Sequence, residues 1–226
     1  MHTKTNCLTF ISLGYRDYIA SRFLLNNGYY FQGLTLASSA VEKYIKAVLA
    51  FKGKNKKVHL TDLNSLTNIL SECYFDFTIY FDKRFMDFLG KAFQIRYYDK
   101  LKEPISFGFF VNQFLGELDF IIDFFENNVI LELKDEKGNI FKSQYKREID
   151  NFNPDLFLSN YVLNGITKKK HMEKPDTGVG MYFNPQSTNG EINVFGKDIV
   201  NEYDGIISEI KFQNTKNKEI NFFISR

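Results

Sequence analysis

The sequence predicts a mainly α protein, an antiparallel up-down bundle of four to five helices with a small antiparallel β-rich unit appended on its C-terminal side. Three observations predict it. From about residue 8 to 130, apolar side chains recur at three- and four-residue steps, the spacing of one face of a helix. Glycine, asparagine and proline punctuate that region at intervals that suit helix ends. Beyond about residue 130 the period shortens to two, the spacing of a half-buried strand. The switch divides the chain into residues 1–130, the helical bundle, and residues 131–226, the β-rich extension.

The first helix runs through Tyr15–Leu25 and stops at Asn26-Asn27-Gly28, a C-terminal signal. The second runs from Tyr30 to Phe51, with Leu34, Ala37, Val41, Ile45 and Val48 on one stripe and Gly53 beyond its end. Ala40, Ala47 and Ala50 on its other sides let neighbours approach, which predicts a central position. A lysine-rich loop follows, and His59-Leu60-Thr61-Asp62-Leu63 opens a short helix carrying Leu63, Leu66 and Leu70. A fourth helix carries Phe85, Phe88, Leu89 and Ala92. After Pro104, Ser106 is the expected cap of a fifth helix reaching about Asn127. That helix is apolar on two sides, with Phe109, Phe120 and Phe124 opposite the main stripe. The second side calls for a cover, either the C-terminal region or another copy of the chain. Three hairpins are expected after it: residues 129–141, Gly180–Phe183 with Glu191–Phe195, and Ile210–Phe212 with Ile220–Ile224.

Composition sets the limits on function. With 226 residues, 44% hydrophobic and 25% charged, the chain can bury a core and is not disordered as a whole. A net charge of +2 names no polyanionic partner. No apolar run approaches the roughly 18–20 residues of a membrane span, and the first residues hold no signal-peptide core, so a cytoplasmic protein with no membrane partner is expected. Cys7 and Cys73 are too few for a disulfide framework and match no metal-ligand spacing, and the three histidines are scattered. No metal and no cofactor is expected. Gly178-Val179-Gly180 lacks the rest of a dinucleotide or phosphate-loop pattern, and Pro175-Asp176 before it reads as a turn.

One local conflict stands out. On a wheel of 100° per residue starting at Phe85, Arg96 falls at about 20°, among the apolar positions, and Asp99 at about −40°. A guanidinium on a core-facing stripe must be paired or must line a polar groove. Asp99 and Glu42 are candidate partners for a structural clamp, and a phosphate is the candidate ligand for a groove.

Gly28-Tyr29-Tyr30, Ala40-Val41-Glu42-Lys43-Tyr44-Ile45-Lys46-Ala47, His59-Leu60-Thr61-Asp62-Leu63 and Ile95-Arg96-Tyr97-Tyr98-Asp99 follow one another in an order and spacing that resembles the HEPN family over about residues 12–130. The family's usual wording in the last segment is Arg-Tyr-Pro-Asp, and here Tyr98 replaces the proline. The resemblance implies a helical bundle that commonly dimerises. Many members are metal-independent ribonucleases of toxin–antitoxin and phage-defence systems, while others bind nucleotides or work beside a nucleotidyltransferase. The ribonucleases carry an Arg followed after four to six residues by His, whose imidazole can move a proton near neutral pH. Residues Tyr97 to Pro104 contain no His. The resemblance therefore implies a non-catalytic dimer that binds a nucleotide, RNA or a partner, with a nucleotidyltransferase or antitoxin as the possible partner. Arg96, Tyr98, Glu42 and Lys46 are the expected ligand-binding residues. The alternative is a divergent ribonuclease using Arg96 with Tyr97 or Asp99, and a second is a protein-interaction scaffold acting through residues 131–226.

His59 is expected to cap or pack, and His171, after Lys168-Lys169-Lys170, to lie in a loop. The basic stretches Lys52–Lys57 and Lys168–Lys170 are expected to be solvated surface.

Overall fold

Helix α1 (His2–Asn26) and helix α2 (Tyr30–Phe51) form an antiparallel hairpin whose turn the sequence marks with Asn26-Asn27-Gly28. Gly28 takes φ +82°, and the Gly28 and Tyr29 amides donate to the carbonyls of Leu25 and Leu24 at 3.3 and 2.9 Å. This is the left-handed helix ending for which glycine is the favoured residue. The computed structural model describes residues 2–53, 80–97, 105–128, 142–183, 191–195 and 222–223. The expected short helix from His59, the hairpin at 129–141 and most of the last hairpin lie outside the described residues.

The two helices lie very close. Ser21 Oγ donates to the carbonyl of Gly33 at 2.7 Å, and a Cβ on Gly33 would stand 2.6 Å from Leu25 Cγ. On α2, Leu34, Val41, Ile45 and Val48 are buried on one side and Ala40, Ala47 and Ala50 on others, as a central helix requires. Burying each of the larger aliphatic chains stabilises the fold by about 1.5–3 kcal/mol. Helix α3 (Lys83–Ile95) is capped by Asp82, whose carboxylate accepts from the Arg84 and Phe85 amides at 2.7 and 3.3 Å. Its Phe85, Met86, Phe88, Leu89 and Ala92 are buried, and Ser38 of α2 donates to the Leu89 carbonyl.

The fifth predicted helix starts later than expected. Residues Ile105–Phe110 form strand β1, so Ser106 lies in a strand instead of at a helix start, and helix α4 begins at Val111 and ends at Asn128. Its first turn is satisfied from far along the chain. The Asp176 carboxylate accepts from the Asn112 and Gln113 amides at 2.8 and 2.9 Å, and the Val111 amide donates to the Thr177 carbonyl at 3.0 Å. Asp176, expected in a plain turn, is therefore a helix cap.

Residues 142–177, counted with the β-rich part on sequence grounds, form three short helices: α5 (Gln144–Asp150), α6 (Pro154–Phe157) and α7 (Lys168–Met172). Tyr145 and Leu156 enter the same core as the bundle helices. Strands β2 (Gly178–Phe183) and β3 (Glu191–Phe195) form the expected hairpin, and Gly178-Val179-Gly180 lies in a strand. Among the described residues the sheet has the order β3-β2-β1-β4, where β4 is Phe222–Phe223. β1 pairs antiparallel with β2 from Ile105↔Phe183 to Phe110↔Gly178, and parallel with β4. The sheet thus takes a strand from within the helical half. Phe109 lies on that strand, where it meets Tyr30, Phe88 and Phe114.

The chain itself covers the second apolar side of α4. Phe120 receives the Lys168 ammonium at 5.6 Å and the Phe81 ring, and Phe124 packs on Tyr80 and Phe81.

Candidate functional site

Arg96 does not sit in the core. It is the residue that ends α3, its side chain is exposed, and no carboxylate pairs with it among the described residues. The last turn explains the departure from the wheel. The Arg96 and Tyr97 amides donate three residues back, to Phe93 and Gln94, at 3.2 and 2.9 Å. The helix proper stops at Ile95, so Arg96 stands at its solvent end although its position on the wheel is apolar. The buried clamp is not made. Glu42 is buried, but its Oε1 lies 2.5 Å from Lys46 Nζ, one turn along the same helix. Asp99 and Tyr98 lie outside the described residues. Tyr97 is 42% exposed and its ring is 5.8 Å from Phe93. The structure therefore brings Arg96 and Tyr97 together at the solvent end of α3, and Glu42 with Lys46 on α2.

The buried guanidinium belongs to another residue. On α1, Ile11, Tyr15, Tyr18, Arg22 and Leu25 form one buried stripe, and Arg22 is fully buried. Arg22 pairs with the buried Asp119 of α4 and donates to the backbone carbonyls of Asp155, at 3.2 Å, and Leu158. Tyr18 donates to the same Asp119 oxygen at 2.8 Å and accepts from Asn160 Nδ2 at 3.3 Å. Burial opposes the Arg22 charge, but Asp119 and Tyr18 beside it overcome that and raise its pKa, so the guanidinium stays protonated. Burial pushes the Asp119 carboxyl up, against the pull of Arg22.

Asp119 is one of three acids spaced along α4, each of which meets a hydroxyl. Asp123 accepts from Tyr145 at 2.8 Å, and Glu126 accepts from Tyr44 and Ser143, both at 2.6 Å. Burial raises Glu126 more than those hydrogen bonds lower it. Asp119, Asp123 and Glu126 stand at i, i+4 and i+7, which is the sequence signal for one polar stripe. The apolar stripe of the same helix masks that signal in the sequence, as the Ile11–Leu25 stripe masks Arg22.

The chemistry of this network is structural. It pairs Arg22 with Asp119 and ties α1, α4 and residues 155–160 together. His171 is likewise a packing residue, and it lies in α7 instead of a loop. It is buried, its Nε2–H donates to the Asn112 carbonyl at 2.9 Å, and it stacks on Tyr161 at 5.0 Å. Lys168 beside it pairs with Glu117. His59 is outside the described residues, and the side chain of His2 in α1 is not described. Among the described residues no three His, Cys, Asp or Glu side chains are grouped as metal ligands, and no helix is long and apolar enough to cross a membrane.

Residues 10–102 match the family model of the HEPN domain. The match takes in most of α1, all of α2 and α3, and the Arg96–Tyr97 end, so the similarity to the HEPN domain covers this part of the chain. Asp119, the partner of Arg22, lies beyond the matched residues. No curated protein and no solved structure matches the chain.

Proposed function

We propose that the chain is a non-catalytic HEPN-like protein that holds a phosphate-bearing ligand, a nucleotide or RNA, at the Arg96–Tyr97 end of α3. It acts as a homodimer beside a nucleotidyltransferase or an antitoxin, in a toxin–antitoxin or phage-defence setting. The observation that carries this reading is the exposed Arg96. A guanidinium held by no carboxylate among the described residues keeps its planar fork for phosphate oxygens, and the adjacent exposed Tyr97 offers a face for a base. The absence of His from Tyr97 to Pro104 leaves Arg96 without the imidazole that would move a proton there.

Titration of wild type and Arg96→Ala with ATP and with short single-stranded RNAs tests the reading. The expected outcome is binding by wild type, weakened about tenfold or more in the variant, with no cleavage of the RNA by either. Equal binding by both proteins removes Arg96 from the site. RNA cleavage that disappears in Arg96→Ala establishes the ribonuclease alternative instead.

A further inference from the structure

Helices α3 and α4 dispose of their charges in opposite ways. Helix α4 has four acids and no base, and each acid is engaged within the molecule. Glu117 pairs with Lys168, Asp119 takes Arg22 and Tyr18, Asp123 takes Tyr145, and Glu126 takes Tyr44 and Ser143. From its cap Asp82 to Arg96, α3 has four bases and two acids. All four bases, Lys83, Arg84, Lys91 and Arg96, are exposed. Asp82 accepts from the first-turn amides and stands 3.7 Å from Arg84, whose side chain is half exposed. Asp87 faces outward, but among the described residues no ion pair joins it to Lys91 one turn along. Lys83, Lys91 and Arg96 likewise have no carboxylate partner among the described residues.

The outward charge of α3 is therefore positive, and the acids of the neighbouring α4 are committed inside. Exposed charges without partners make the field that an incoming ion meets. The cations are also spread along the helix. Arg84 and Lys91, seven residues apart, lie within about 20° of each other around the axis, and a rise of about 1.5 Å per residue sets Arg84 about 18 Å from Arg96. Lys91 falls between them, about 8 Å from Arg96 along the axis. One mononucleotide gathers its phosphates at one end and suits a single cation. A row of cations suits a ligand whose charge repeats, and a nucleic-acid strand repeats it at every nucleotide. Tyr97, 42% exposed at the end of the row, offers a ring face to an unstacked base, which a single strand presents and a duplex does not.

We propose that the outer face of α3 is a track for the backbone of a single-stranded nucleic acid. Lys83, Arg84 and Lys91 are its phosphate-binding residues, and Arg96 with Tyr97 is its end. This rests on the reading of Arg96 given above and sharpens it: the ligand is a strand and not a mononucleotide.

The test uses the full chain and labelled oligouridylates of four and twelve nucleotides, followed by fluorescence anisotropy over a range of salt. Wild type is expected to bind the 12-mer about tenfold or more tightly than the 4-mer. The variant Lys83→Gln/Arg84→Gln/Lys91→Gln is expected to bind the 12-mer about tenfold or more weakly, and its slope of log affinity against log salt is expected to fall by about 2, at about 0.7 for each phosphate contact removed. Lys91→Glu alone is expected to weaken the 12-mer severalfold. Both variants are expected to keep the wild-type Tm to within about 2 °C, as surface changes do. The track is overturned if wild type binds both lengths equally, if the triple variant keeps the affinity and salt slope of wild type, or if a polyglutamate peptide of equal charge binds as tightly as the 12-mer. Arg96→Ala keeps the two readings apart. Loss in Arg96→Ala with none in the triple variant overturns the track alone, whereas loss in the triple variant with none in Arg96→Ala supports the track and removes Arg96 from it.

Discussion

The C-terminal part of α1 and the end of α3 each place an arginine on the apolar side of a helical wheel, and the two side chains have opposite fates. Arg22 lies within the span of α1 that faces α4 and the 155–160 segment, so it is enclosed and paired with Asp119. Arg96 lies just beyond the last residue of α3, past the buried Ala92 and Phe93, and it faces water. A wheel gives the side of a helix on which a residue falls. Depth depends on whether a neighbouring element extends that far along the axis.

The strongest way to break this comparison is to remove the partner of Arg22. Asp119→Ala is expected to cost about 3–5 kcal/mol of unfolding free energy in urea, because it leaves a buried guanidinium uncompensated. The double variant Arg22→Met/Asp119→Leu is expected to recover most of that loss. If the single variant proves as stable as wild type, the pair is not enclosed in solution.

The network on α4 allows a second, smaller test. Glu126→Gln turns an amide donor toward Tyr44 or Ser143, at an expected cost of about 1–3 kcal/mol. Its pH dependence has a definite sign. Burial raises the folded-state pKa of Glu126, so its contribution to stability is fully present below the ordinary glutamate range and is lost as pH rises through the raised value. The stability advantage of wild type over Glu126→Gln is therefore expected to shrink as pH rises from about 4 toward neutrality. An advantage that grows over that range contradicts the assignment.

Asp176→Ala removes the acceptor for the first turn of α4 and is expected to cost about 1–2 kcal/mol, measured by thermal denaturation. The smallest effect belongs to the other arginine. Arg96→Ala is expected to shift stability by less than about 0.5 kcal/mol, as for an ordinary surface change. A large loss would show that Arg96 is structural after all and would sharpen the comparison into a likeness.

The helices were legible where apolar periodicity and turn residues agree. Tyr30–Phe51 follows from its stripe and from the Gly residues near both ends, and the α1 turn follows from Asn-Asn-Gly. The start of α4 was not legible, because its cap comes from Asp176 and its preceding strand is fixed by pairing with Gly178–Phe183. Both are long-range events with no local signature. The short helices α5, α6 and α7 each carry a side-chain cap, from Ser143, Asn153 and Thr167, but are too brief to show a period. At the candidate site, Arg96 and the missing His were readable from the sequence, whereas its exposure depended on where α3 stops. The Arg22–Asp119 pair was readable in principle from two polar residues on buried stripes, and its partners' identity was not.

The Asp176 cap also bears on how the molecule is made. The residues that α4 needs for its first turn are synthesised 64 positions after Asn112. At roughly 5–20 residues per second this is a delay of several seconds on the ribosome. During that interval α4 can pair with Arg22, Tyr18 and Tyr44, which are already made, while its first-turn amides stay uncapped, so the start of the helix is the last part of it to be fixed.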